Sequence, residues 1–283
     1  MLLRMVDGPL RLESGGQMSK FNRRSLIGMV GAWACAGAAT AVAQEQMPAW
    51  DKVRIAIEGD YPPFSERDGK NFKGFDVDIA KALCARMKAD CQLIQRDWDQ
   101  IQPALLDNQV DAVVASMSIT IERKQKFDFT NRYYHTPARF VGRAGQEIEE
   151  WDAWLHGKRL GVQRGTVQER FVDVRFNGSN PLRTYKTQAE GVRALAAGEI
   201  DLYLGDALSL SAGFLRTKEG RGYEFVGPAY NDARWFGEGI GIAIRKEDQG
   251  LRWKLNRALD EIRSDGTYER LSKQYFGFDI YGS

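Results

Sequence analysis

Apolar residues recur at two spacings along residues 50–116. VRIAI (53–57) is a short apolar run bounded by charge, which predicts a buried strand. FDVDIAKALCARMKA (75–89) repeats its apolar residues at helical spacing, with Asp76 placed to cap it. CQLIQRD (91–97) predicts a second strand. Asp99 is expected to cap a helix reaching Leu106, with Pro103 in its tolerant first turn. VDAVVAS (110–116) predicts a third strand. The order β-α-β-α-β implies a parallel sheet in an α/β domain.

The pattern then restarts. KRLGVQ (158–163) resembles VRIAIE (53–58), and ALLDNQVDAVVAS (104–116) aligns without gaps on ALAAGEIDLYLGD (194–206). The repeat pairs Glu58 with Gln163 and Ser116 with Asp206. All four fall at the carboxyl ends of strands, where open α/β sheets bind ligands. Two α/β lobes facing one another across a cleft are therefore expected. GEGIGIAIRKED (237–248) reads as a strand leaving the second lobe, and 251–277 as two helices broken near Asp265-Gly266. Crossings near 135–142 and 232–240 would make a two-strand hinge. The expected division is 50–136 with 236–283 for lobe one, and 137–235 for lobe two.

The N-terminus follows another pattern. Lys20, Arg23 and Arg24 precede the apolar stretch 26–41, and AVA (41–43) meets the small-x-small rule, so 1–43 is expected to be a signal peptide cut after Ala43. Met18 is a candidate true start. NRRSLIG (22–28) also fits a twin-arginine signal, though arginine pairs are common in Sec signals. Trp33 argues against a lipid anchor at Cys35. Removing 1–43 takes five Lys/Arg and two Asp/Glu, leaving 35 positive and 36 negative side chains. The basic balance thus belongs to the signal, and nothing points to a nucleic-acid partner. Cys84 and Cys91 remain. Export permits a disulfide between them, linking a helix end to the next strand; the alternative is two buried thiols.

One strand end carries candidate chemistry. After VDAVVA come Ser116, Ser118, Thr120 and Arg123, hydroxyls followed by a fixed cation, a set suited to an anion. A guanidinium pairs bidentately with a carboxylate. The plainer reading is that Thr120 caps a helix and Arg123 is a surface charge. Asp206 ends IDLYLG (200–205). A buried carboxylate there needs a partner, or it caps the following helix.

YPPF (61–64), GFDVDIAKALC (74–84), SMSIT-x-x-R (116–123), GVQRGT (161–166) and DGTYERLSKQYFGFDIYG (265–282) occur in the order found in the periplasmic solute-binding proteins of polar amino-acid ABC transporters. From about residue 50 onward the chain resembles that family, and most closely its lysine/arginine/ornithine- and histidine-binding branch. The resemblance implies a type II two-lobed fold, no cofactor or metal, a monomeric receptor and a membrane permease as partner. It implies that Arg123, Ser116, Ser118 and Thr166 hold a ligand α-carboxylate and Asp206 its ammonium. Glu58 would meet a side-chain cation between the aromatic faces of Tyr61 and Trp98. Ala115 and Val167 stand where the branch often has hydroxyls. Gln163, with Gln168 nearby, brings an amide to a position often apolar. These departures, and a Glu where the branch often has Asp, keep opines such as octopine and nopaline in view as alternative ligands. Dehydratases acting on arogenate or prephenate share the fold but need a general acid, for which Glu58 is the one candidate. His135 and His156 are expected to be structural. No nucleophile elbow, metal-spaced cluster or phosphate loop is present in the sequence.

Overall fold

Strand Lys52–Ile57 lies inside the first sheet, with a neighbour on each side, and Ile55, Ala56 and Ile57 are wholly buried. Apolar residues on both its faces require cover on both sides. The computed structural model describes residues 49–176 and 178–282. The expected signal peptide, Met18 and Cys35 lie outside the described residues. Lys52–Ile57 pairs in parallel with Asp90–Gln95 and with Ala112–Val113. Ala243–Ile244 then adds antiparallel to Ala112–Val113, and Asp128–Phe129 closes that edge.

The second sheet repeats this plan. Leu160–Gln163 lies between Leu182–Tyr185 and Leu202–Asp206, both parallel to it. Ala138–Arg143 adds antiparallel to Leu202–Asp206, and Tyr223–Tyr230 forms the edge. In each sheet the fourth strand is supplied by the chain just after it has crossed from the other. The two crossing stretches bond to each other: Tyr133 N–H donates to the Ile240 carbonyl (2.8 Å), and Ile240 N–H to that of Tyr134 (2.9 Å). Two buried clusters flank each sheet. The architecture is thus two α/β lobes joined by paired connections.

The internal repeat extends to matching bonds. Asp111 accepts from Arg54 N (2.8 Å) and Nη2 (2.7 Å), and Asp201 accepts from Arg159 N (2.8 Å) and Nη2 (2.7 Å). Each clamp ties the start of a lobe's first strand to the start of its third. Burial separates the two. The Asp111 side chain is 10% exposed and also faces buried Arg245 (3.2 Å), whereas that of Asp201 is 36% exposed.

Several local expectations change. Helix Phe75–Met87 is entered through Gly74, not capped by Asp76. The Pro63 and Phe64 carbonyls accept from Phe75 N–H (3.0 Å) and Asp76 N–H (2.9 Å). Gly74 has φ 125°, and a Cβ there would fall 2.3 Å from the Phe64 oxygen, so the YPPF turn requires glycine. The next helix is Trp98–Leu106, one residue ahead of the expected cap Asp99, and Pro103 falls beyond its first turn. The third strand and the 237–248 strand shrink to two paired residues each. Val110, Val114 and Ala115 are nonetheless buried as the apolar run implied. Helices Gln249–Ser264 and Thr267–Phe276, broken at Asp265–Gly266, return to pack on Phe75–Met87. The Cys84–Cys91 disulfide is formed and ties that helix to strand Asp90–Gln95.

The two clamps should differ in worth. Asp111→Ala removes a buried carboxylate shared by Arg54 and Arg245 and leaves Arg245 to Asp248 (2.5 Å), at a cost of about 2 kcal/mol. Asp201→Ala removes a half-exposed pair, at about 1 kcal/mol or less. Urea denaturation of both variants checks this; equal losses would contradict it.

Candidate functional site

The carboxyl ends of the central strands of both sheets open on one cavity. Glu58, Tyr61, Trp98, Ala115, Ser116, Ser118 and Arg123 line it from the first lobe, and Gln163, Thr166, Gln168 and Asp206 from the second. All the residues singled out from the sequence as ligand contacts are brought together there. Thr136, Pro137, Val167, Phe236 and Ile240 complete the lining.

Arg123 is buried at 8% exposure. Thr120 caps its short helix Ile121–Lys124 by accepting from Arg123 N–H (3.3 Å), which turns the side chain inward. Nη1 donates to the Ser118 carbonyl (3.0 Å), and Nη2 reaches the Gly165 carbonyl of the other lobe (3.4 Å). The Trp98 ring lies 5.5 Å from the guanidinium carbon. Trp98 therefore stacks on Arg123 itself. Among the described residues Arg123 makes no ion pair. Burial lowers its pKa to about 10, partly offset by neighbouring Glu122.

Two hydroxyls expected to face an anion are engaged elsewhere. Ser116 has φ 52°, which turns it back so that its hydroxyl donates to Asp76 (2.8 Å). Tyr133 donates to the other Asp76 oxygen (2.7 Å). Thr166 donates to the Gln163 carbonyl (2.7 Å) and accepts from Glu169 N–H (3.2 Å), capping helix Val167–Phe176. Asp76 is thus a buried member of the site's support that the sequence reading treated only as a cap. Its signal was an acid flanked by Phe75 and Val77 on the helix face that packs inward.

Three buried acids are shifted upward, each chiefly by loss of water. Glu58 rises to about 8; Asp60, Asp76 and Asp97 push it further, and the Gln163 bond opposes the rise. Asp206 rises to about 7 against N–H bonds from Ser209 and Leu208. It caps the helix Ala207–Leu210, accepting from Ser209 N–H (2.9 Å), while still facing the cavity. Asp76 rises to about 7 against the Tyr133 and Ser116 hydroxyls. His135 lines the cavity beside the crossing strands, its pKa lowered by burial and by Arg132. His156 ends helix Trp151–Leu155 away from the cavity.

The lobes also touch directly. Gln163 Nε2 donates to Glu58 Oε1 (2.7 Å), and Ser209 Oγ to the Pro62 carbonyl (2.9 Å). At the rim, Lys186 pairs with Asp97 (2.6 Å) and Arg170 with Glu122. Local sequence pattern carries no sign of these rim pairs, which join residues of separate lobes.

The sequence profile of the bacterial extracellular solute-binding proteins, family 3, matches residues 53–278. The chain belongs to that family. This family 3 member is 46% identical over 235 residues to the L-arginine-binding protein of Pseudomonas aeruginosa, covering 82% of this chain and 90% of that one. It is 40% identical over 233 residues to the histidine-binding periplasmic protein of Salmonella typhimurium, covering 82% and 90%. Among solved structures it is similar to an ancestral arginine-binding protein bound to arginine, with TM-score 0.72 and 31% identity over 80% of this chain and 99% of that one. The relatives it matches are binding proteins, not enzymes.

The raised acids give a pH dependence. A carboxyl whose pKa is higher in the fold than in the unfolded chain contributes stability that is full below its unfolded pKa. That stability is lost as pH rises through the folded pKa. For Glu58 the window runs from about 4.5 to about 8. Ligand-free protein should therefore lose stability between pH 5 and pH 8, and Glu58→Gln should lose less. Parallel thermal-melting profiles for the two proteins would show that Glu58 titrates normally.

Proposed function

We propose that this chain is a periplasmic receptor that captures a cationic L-amino acid, arginine first, with lysine, ornithine and histidine as further ligands, and delivers it to a membrane ABC permease. The observation that carries this is the buried guanidinium of Arg123, which makes no ion pair among the described residues, in one cavity with the buried carboxyls of Glu58 and Asp206. A free amino acid with a basic side chain presents the complementary pattern of one carboxylate and two cations.

In this reading the α-carboxylate takes the planar fork of Arg123. The N-terminal turn of Val167–Phe176, whose Val167 and Gln168 line the cavity, adds a favourable dipole. Asp206 takes the α-ammonium and Glu58 the side-chain cation. A nearby cation favours the ionised form of both acids and so offsets what burial costs them. Tyr61 and Trp98 flank the ligand stem, with Trp98 also steadying Arg123. Ser116 acts through Asp76 and Thr166 through its helix cap. Ligand groups bridge both lobes, so the ligand shifts an open/closed equilibrium toward the closed form. The names of the relatives, which bind arginine and histidine, support the ligand class. Export with cleavage after Ala43 places the receptor in the periplasm, where the Cys84–Cys91 bridge forms.

The test is calorimetric titration of unfolded-and-refolded mature protein with arginine, lysine, ornithine, histidine, glutamine, octopine and nopaline. Binding of a basic amino acid without response to glutamine supports the reading; binding of an opine alone overturns the ligand class. Arg123→Ala should weaken every ligand by at least about a hundredfold, the scale of losing a buried charge partner. Glu58→Gln should weaken basic ligands selectively, and an unchanged arginine affinity would refute the pocket assignment.

A further inference from the structure

Gln163 is buried at 6% exposure, directly opposite Glu58 at 4%. Its neighbours along the strand, Leu160 and Val162, are apolar and wholly buried, so packing alone would be served by an apolar side chain. Instead its amide nitrogen lies between two acceptors, Glu58 Oε1 at 2.7 Å and the Lys186 carbonyl at 3.3 Å. Two acceptors on the nitrogen fix the orientation of the amide and turn its oxygen away from both. The Glu58 backbone is held as well. Its carbonyl accepts from Gln95 Nε2 (3.0 Å), and the next residue, Gly59, donates its N–H to Ser65 Oγ (2.9 Å). The Lys186 ammonium is held by Asp97 and does not compete for Glu58.

We infer that Gln163 is a specificity-determining residue: its amide oxygen and the second oxygen of Glu58 form one acceptor pair, built from both lobes, that takes a guanidinium in preference to an ammonium. This rests on the reading of the cleft as a receptor for a cationic amino acid. The argument is geometric. One oxygen of Glu58 already receives the Gln163 N–H, which occupies one of its lone pairs and leaves the second oxygen the freer acceptor. A guanidinium carries its donors in one plane and can span two acceptors on separate side chains. An ammonium is a compact charge that keeps much of its water and gains less from a second acceptor at fixed distance. Because the pair exists only when the lobes meet, it reads the ligand's far end at the moment of closure.

The experiment is calorimetric titration of wild type and Gln163→Met with arginine and lysine, with thermal melting as the check on folding. Wild type should bind arginine at least about tenfold more tightly than lysine, and the variant should lower that ratio about tenfold. A purely structural role would weaken both ligands alike. An unmoved ratio, or equal weakening, overturns the inference while leaving the receptor reading in place. Wild type alone supplies a second arm, needing no variant: lysine bound as tightly as arginine overturns the inference. Wild type that binds no basic amino acid removes the receptor reading and this inference together.

Discussion

A guanidinium held out of water without an ion pair among the described residues is the constraint around which the cleft is organised. Burial of an unpaired charge is costly, and a fold keeps one only where other interactions hold it. Arg123 is held by its own helix cap, by the carbonyls of Ser118 and Gly165, and by the Trp98 ring. None of these neutralises it. In the proposed reading the ligand supplies the counter-charge. Glu58 and Asp206 face the complementary problem, as acids whose burial favours the proton over the charge. A cavity with one buried cation and two buried acids that do not neutralise one another is a charge template. It rewards only a molecule carrying the inverse pattern.

Closure follows from the same electrostatics. The contacts that join the lobes without a ligand are few and mostly polar. The rim pairs Lys186–Asp97 and Arg170–Glu122 are about half exposed, and pairs of that kind contribute at most about 1 kcal/mol each. Ser209 to Pro62 and Gln163 to Glu58 add two hydrogen bonds of ordinary worth. Such contacts contribute only a few kcal/mol to holding the lobes together. That is the range in which differential binding of a small ligand sets the population. The crossing stretches, paired through Ile240 with Tyr133 and Tyr134, join the two lobes and keep the two strand ends facing.

The repeat was the part of this fold most open to sequence reading. Its register put Glu58 with Gln163 and Ser116 with Asp206, and matched clamps at Asp111 and Asp201 accompany it in the structure. What pattern alone missed was tertiary. Asp76 stands where a helix cap is expected, but the YPPF turn supplies the carbonyls and Gly74 the bend, so the acid is free to turn inward to Ser116 and Tyr133. Trp98 lines the cavity, and its ring also covers Arg123, 25 residues along the chain, a contact that local pattern does not mark. The strand expected over 110–116 is shorter because Val110, Val114 and Ala115 are apolar for burial, while the ladder takes only Ala112 and Val113. Local propensity cannot see which hydroxyl or ring a neighbouring element will claim.

The two lobes also show why a repeat must break its symmetry where it meets itself. Equivalent strand ends are brought face to face, so whatever stands at one position confronts its counterpart. Two glutamates at 58 and 163 would oppose like charges at hydrogen-bond distance, and closure would demand a shared proton. Two amides would close easily and offer a basic ligand no charge. One acid against one amide satisfies both demands. The amide donates to the acid when the lobes shut, and the acid retains an oxygen and a charge. The same asymmetry recurs at the second pair. Ser116, in the left-handed region, bends away to anchor Asp76, while Asp206 keeps its strand geometry and presents a carboxylate to the cavity. A duplicated scaffold thus yields a cleft with a definite direction, cationic at one end and anionic at the others, because the equivalent positions carry different chemistry.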